Sequence, residues 1–169
     1  MFAHLTAVTS DINAVTGASA EVTLKQAAVQ ELADSLRGDL LLPGNEAYEA
    51  ARMVLNPSID KHPALIVQPT GAADVSSAVQ YARQENLLVA VKCGGHSMAG
   101  KSTCDGGMLI DLSRLRGVHI DPSARTARVA GGSLLGELDH ESMSYVWPGY
   151  NSGHGVAYRC RQYHPGWRI

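Results

Sequence analysis

The densest set of residues with chemical potential is Cys93-Gly94-Gly95-His96-Ser97-Met98-Ala99-Gly100, which follows the apolar run Leu87-Leu88-Val89-Ala90-Val91. Successive glycines after a buried strand expose neighbouring backbone N–H groups, and such a nest of donors holds anions, nucleotide phosphates above all. Phosphate binding alone does not call for an imidazole. His96 is therefore either an ordinary loop residue or a group that reacts with what the loop holds.

Gly95, Gly100, Lys101 and Ser102 also satisfy G-x-x-x-x-G-K-[ST], the phosphate loop of nucleotide triphosphatases. That loop must open a helix whose N-terminus faces the phosphates. Here Thr103-Cys104-Asp105-Gly106-Gly107 and the apolar run Met108 to Leu112 predict a turn and a new strand, which leaves no room for a helix. A P-loop nucleotide-binding protein thus stays a minor alternative. Cys93, Cys104 and Cys160 are odd in number and form no C-x-x-C pair, which suits a reducing compartment, with Cys93 expected as a small buried filler. The seven histidines show no ligand-like spacing, and no metal site is expected.

The elements that must position the glycine turn can be read along the chain. Residues 1–21 are small and polar without a clear period and are expected to form a mobile arm. Residues 22–58 read as a helical lead-in. Thr23-Leu24-Lys25-Gln26 has capping-box spacing, and Val29, Leu32 and Leu36 share a helical face that ends at Gly38. Leu40-Leu41-Leu42-Pro43-Gly44 is expected as a linker to a second helix, capped by Asn45, with Tyr48, Ala51 and Leu55 on one face. The run Ala64 to Val67, a helix with Ala72, Val75, Val79 and Ala82 on one face, and the strand from Leu87 to Val91 make a βαβ unit with parallel strands. Asn86 is placed to close that helix in the left-handed conformation. The glycine turn would then lie at the carboxyl end of a parallel strand, where open α/β sheets bind ligands.

Further on, Gly117 to Ile120 and Thr126 to Ala130 predict an antiparallel hairpin around Asp121-Pro122-Ser123. Ser133 is read as the cap of a final helix with Leu134, Leu135 and Leu138 inward, and Asp111 with Arg114 as a structural pair.

At 169 residues, 45% hydrophobic and 18% charged, the composition is ordinary for one globular domain. A formal net charge of -2 without a basic cluster argues against nucleic-acid or anionic-membrane partners. The first eight residues lack a basic n-region, and no run is long enough to span a bilayer. No secretory leader or membrane segment is expected, and a cytoplasmic location is the default reading with the compartment left open.

The stretch VKCGGHSMAGKSTCDGGMLIDLSRLRGVHIDPSARTARVAGGSLLGELD, together with the preceding VQPTGAADVSSAVQYARQENLLVA, resembles the flavin-binding domain of the vanillyl-alcohol oxidase and berberine bridge enzyme group of FAD-linked oxidoreductases. The resemblance implies an α+β fold of the PCMH type: a small parallel βαβ subdomain followed by the start of a second, mixed or antiparallel α/β subdomain. It places that incomplete domain at residues 59–145. It also implies FAD as cofactor, with Cys93, Gly94, Gly95, His96, Ser97 and Gly100 around its diphosphate and His96 bonded to the flavin 8α-methyl group. In the group, hydride passes from a small organic substrate to flavin N5, oxygen commonly takes the electrons back, and a second domain supplies the catalytic base. No catalytic base can be nominated in this chain. A non-catalytic, truncated flavin-binding fragment is the alternative reading.

The family pattern stops near Tyr145. From Val146 to Ile169 there is no Asp or Glu, both tryptophans and three tyrosines fall there, and no period is visible. Read one base later from the codon of Trp147, the degenerate code permits GLVTTAGTVSHTGVANTILGGG, which has the group's flavin-site pattern throughout. Residues 146–169 are therefore expected to be a frame-shifted or mis-spliced tail. The shifted string carries Ala where doubly linked members carry a second attachment cysteine, so at most a single histidyl link is expected.

Overall fold

The structure is a computed structural model, and it describes residues 8–146. The elements are β1 (Ile12–Val15), β2 (Glu21–Leu24), α1 (Gln26–Ser35), β3 (Asp39–Leu41), α2 (Tyr48–Arg52), β4 (Leu65–Gln68), α3 (Ala72–Gln84), β5 (Val89–Lys92) and β6 (Met108–Asp111). A 3-10 turn (Leu112–Arg114), β7 (Val118–Asp121), β8 (Thr126–Val129) and α4 (Leu135–Val146) follow. The described residues fall into two compact units, one up to Arg114 and one from Leu115. Among the described residues no helix is long and apolar enough to cross a membrane.

The first unit is built on a four-stranded sheet of order β3-β4-β6-β5. β4 and β5 both run parallel to β6, which lies between them, while β3 is antiparallel to β4 at one edge. The βαβ unit expected from the sequence is thus present, with a third parallel strand inserted between its two strands. Strand alternation sorts the side chains onto two faces. Leu40, Leu65, Val67, Met108 and Ile110 join the core under α1 and α3, whereas Leu41, Ile66, Ala90 and Leu109 join Tyr48 and Ala51 of α2 on the other face. Leu65 and Leu109 are fully buried, and each such side chain contributes roughly 1.5–3 kcal/mol through its removal from water.

Several expectations are corrected. The stretch ending the expected mobile arm forms an antiparallel hairpin, β1 with β2, each only four residues long. It is pinned by Val15 N–H donating to Gly106 (2.7 Å) and Leu88 N–H donating to Val15 (2.9 Å). Thr23 lies in β2 and caps nothing; the Gln26 amide at the start of α1 donates to Asp11 Oδ1 (2.9 Å) instead. The expected linker at residues 40–42 is largely strand β3, its apolar run satisfied by pairing with β4. Asn45 accepts from the Leu42 amide (2.7 Å), a turn contact, and Leu55 is exposed.

The buried face of α3 is Asp74, Ala78, Tyr81 and Ala82, with Val79 exposed, so the apolar stripe read from the sequence was rotated by about one residue. A buried carboxylate misled that reading: Asp74 accepts from the amides of Arg37 (3.1 Å), Gly38 (3.1 Å) and Thr70 (2.9 Å) and from the Thr70 hydroxyl (3.1 Å). Asn86 does close the helix in the left-handed region, at φ 53°.

In the second unit, β7 and β8 form the expected antiparallel hairpin, with the Ala124 amide donating to Asp121 Oδ1 across the turn (2.9 Å). Ser133 does not cap α4. Its hydroxyl exchanges hydrogen bonds with the backbone of Gly117 (2.9 and 3.1 Å), and Glu137 reaches back to the Leu134 amide (2.7 Å). Leu134 and Leu135 are exposed rather than inward. The tail expected to be aberrant lies outside the described residues from Trp147 onward.

Candidate functional site

The site is assembled from the carboxyl end of β5 outward. Val89 to Lys92 pair with Met108 to Asp111 of β6, and the chain then leaves the sheet at Cys93. Cys93, Gly94, Gly95, His96, Ser97 and Gly100 therefore fall in one turn, at the carboxyl end of a parallel strand as the pattern predicted. No helix follows Lys101; the chain runs through turns to β6, which removes the geometry a triphosphatase loop needs.

Three glycines in the turn are dictated by their surroundings. Gly95 has φ 67°, a left-handed conformation, and a methyl group there would lie 3.3 Å from Val54 Cα. Gly94 lies beneath the imidazole: an added Cβ would be 2.6 Å from His96 Cδ2 and 3.0 Å from Nε2. Gly100, at φ 68°, backs onto Ile59.

The turn closes on itself through its distal end. Ser97 accepts at its carbonyl from the Gly100 amide and at Oγ from the Lys101 amide, both at 3.0 Å. Lys61 Nζ donates to the Gly100 carbonyl (3.3 Å), and Asn56 Nδ2 to that of Met98 (3.1 Å). All these contacts occupy carbonyls, or amides beyond residue 99. Among the described residues, the N–H groups of Gly94, Gly95, His96, Ser97, Met98 and Ala99 have no protein acceptor.

His96 is exposed, as is Cys93, which corrects the expectation of a buried filler. The buried thiol is Cys104, where burial pushes the pKa up to about 11. A run of unengaged amides beside an exposed imidazole is what an anionic group with a reactive neighbour would require, so the donor set fits a dinucleotide diphosphate.

What the sequence reading missed is the support under the turn. The Leu55 amide donates to the Gly95 carbonyl (3.0 Å), which brings residues 53–56 alongside it. Lys92 is buried, with its ammonium 3.4 Å from Asp111 Oδ2. Asp111 and Arg114 do not pair as expected: Asp111 also accepts from Gln68 Nε2 (2.9 Å) and the Ser113 amide (3.1 Å), while Arg114 bonds to Asp39. A lone lysine at a strand end carries no sequence signal. Its role depends on a helix more than forty residues earlier.

Comparison with known proteins shows the family of the chain. The family described as FAD binding domain matches residues 63–160, more than half of the chain. (R)-6-hydroxynicotine oxidase of Paenarthrobacter nicotinovorans is 32% identical over 111 residues, covering 66% of this chain and 24% of the relative. An FAD-linked oxidoreductase of Dictyostelium discoideum is 35% identical over 127 residues, covering 75% of this chain and 27% of its own. Among solved structures, 6-hydroxy-D-nicotine oxidase from Arthrobacter nicotinovorans superposes with a TM-score of 0.63 at 32% identity, over 66% of this chain and 24% of the other. Physcomitrella patens BBE-like 1 gives 0.64 at 28% identity, over 70% and 26%. The chain spans about a quarter of the length of these relatives. With a parallel α/β unit followed by an antiparallel hairpin and helix, and the glycine turn at the end of β5, the chain belongs to the FAD-linked oxidoreductases of the vanillyl-alcohol oxidase and berberine bridge enzyme group and carries part of their PCMH-type FAD-binding fold.

Proposed function

We propose that this chain provides the first half of the flavin site of an oxidoreductase that oxidises a small organic substrate. The observation that carries this reading is the turn itself: six consecutive amides from Gly94 to Ala99 without an acceptor among the described residues, beside an exposed His96. Gly94, Gly95 and Ser97 hold the FAD diphosphate through their backbone N–H groups, and Cys93 and Gly100 bound the turn. His96 is the point of covalent attachment to the flavin 8α-methyl group. Bound FAD supplies a hydride acceptor at N5, usually reoxidised by oxygen, and the protein's part is to hold, orient and tune it. The imidazole is exposed and close over Gly94, so it needs no rearrangement of the sheet to reach a ligand on the turn.

The substrate is held in this proposal by a second domain, as the family resemblance implies, and the activity belongs to that whole protein. Residues 146–169 are proposed to be out of frame, because the reading one base later restores a flavin-site pattern. Titration of the purified protein with FAD, followed by quenching of flavin fluorescence, tests the binding claim. Saturable binding that ADP competes away is expected, since ADP shares the diphosphate. Binding of MgATP without any binding of FAD would return the P-loop alternative.

A further inference from the structure

Lys92 is the last residue of β5, one position before the turn begins, and its side chain leaves on the face covered by α2. Its ammonium donates to the carbonyls of Ala51 and Met53, the latter at 3.4 Å. These belong to the C-terminal end of α2, where backbone carbonyls lack partners within the helix and a cation is favourable. Asp111, its register partner on β6, neutralises the charge at 3.4 Å and is itself tied to Gln68 of β4. One buried cation thus joins three strand ends to the exit of a helix.

That exit is also the seat of the turn. Two residues beyond Met53, the Leu55 amide donates to the Gly95 carbonyl, and Val54 fills the space where a Gly95 side chain would be. The segment from Ala51 to Leu55 is therefore held at two places, by the Lys92 ammonium at the end of β5 and by the Gly95 backbone in the turn. Between those two holds lie Cys93 and Gly94. Fixing both ends of such a short span fixes the direction in which the following amides point.

We propose that Lys92 is a positioning residue for the flavin turn: its buried ammonium, balanced by Asp111, locks the exit of α2 under Gly95 and so preorganises the amides from Gly94 to Ala99. A preorganised site loses less conformational freedom when its ligand arrives, so the lock raises affinity without touching the ligand. The inference rests on the reading of the turn as an FAD site, but its structural half stands apart from that reading.

The test compares Lys92→Met, Lys92→Arg and the double variant Lys92→Met/Asp111→Leu with the parent chain. The double variant removes the carboxylate that the single one leaves buried and unpaired, and so keeps the fold if Lys92→Met alone loses it. Two quantities are read: hydrogen exchange of the peptide covering residues 51–56, with α1 as internal reference, and the Kd for FAD.

In Lys92→Met and in the double variant, exchange at 51–56 rises at least tenfold relative to α1, and Kd rises by a similar factor. Lys92→Arg, which keeps a cation in reach of the same carbonyls, recovers most of both. The proposal is overturned if the double variant exchanges like the parent, if exchange rises uniformly through α1 and the sheet, or if Kd is unchanged while the segment loosens. A parent chain that binds no FAD would sink the flavin reading alone, since the exchange comparison still decides whether Lys92 holds the seat.

Discussion

Gly95→Ala separates the two demands that the turn makes on its backbone. At φ 67° an alanine sits in the left-handed region, which costs roughly 1–2 kcal/mol. Its methyl group would also lie 3.3 Å from Val54 Cα, a backbone atom that must yield by a few tenths of an ångström. The 3.0 Å bond from the Leu55 amide to the Gly95 carbonyl spans the same contact, and losing it costs about 0.5–1.5 kcal/mol more. The expected destabilisation is therefore about 1.5–3.5 kcal/mol. Gly44→Ala is the control, because Gly44 has φ 93° and nothing within 4 Å of an added Cβ, so it bears the conformational cost alone. Urea unfolding followed by far-ultraviolet circular dichroism gives both values. Gly95→Ala should be the less stable by about 0.5–1.5 kcal/mol and should bind FAD more weakly, while Gly44→Ala binds it like the parent. Equal stability and equal FAD affinity in the two variants would refute the claim that the turn is seated on residues 54–55.

Burial works to raise the pKa of Asp74, but the donors at Thr70, Arg37 and Gly38 outweigh it and hold the carboxyl below its usual value. Its contribution to stability is thus fully present above the unfolded value near 3.9 and is lost as pH falls through the lower folded value. Asp74→Ala should cost about 2–4 kcal/mol at pH 7, and its deficit relative to the parent should shrink in acid; a deficit that stays constant down to pH 2 would contradict this. With iodoacetamide at pH 8, peptide mapping of the native protein should find Cys93 alkylated. Cys104, buried with its pKa pushed up to about 11, should react only after unfolding. Gly94→Ala should leave the fold near parental stability yet lower covalent flavin incorporation, because a methyl group 2.6 Å from His96 Cδ2 turns the imidazole aside; unchanged incorporation would show that the ring is not used from that position. Sequencing the transcript across the Tyr145 codon, with peptide mass mapping of the product, should reveal a one-base shift. An uninterrupted message that encodes Trp147 to Ile169 would leave the tail genuine.

The parallel unit was legible because its signals are strong and local. Ala64 to Val67 and Met108 to Ile110 are continuous apolar runs, Asn86 is a residue that tolerates positive φ, and a glycine-rich turn after a strand leaves few alternatives. Elements whose stability comes from pairing were harder to read. Strands β1 and β3 are four and three residues long, too short for a period to emerge, and exist because Gly106, Leu88 and β4 offer hydrogen-bond partners. The face of α3 was misjudged because a buried aspartate stands where an apolar residue is the default. The glycine turn and its histidine could be named from the sequence. Its support was hidden, since Lys92, Asp111 and the exit of α2 meet only through the fold.

The central claim is that the turn from Gly94 to Ala99 receives the flavin and that His96 becomes bonded to it. The most direct measurement is to incubate the protein with FAD, precipitate it with acid, digest it and find the peptide that carries the colour. A yellow pellet, a flavin mass on the peptide containing His96, and a colourless pellet from His96→Ala are expected. A colour that survives that substitution, or that maps to a peptide without His96, would contradict that claim.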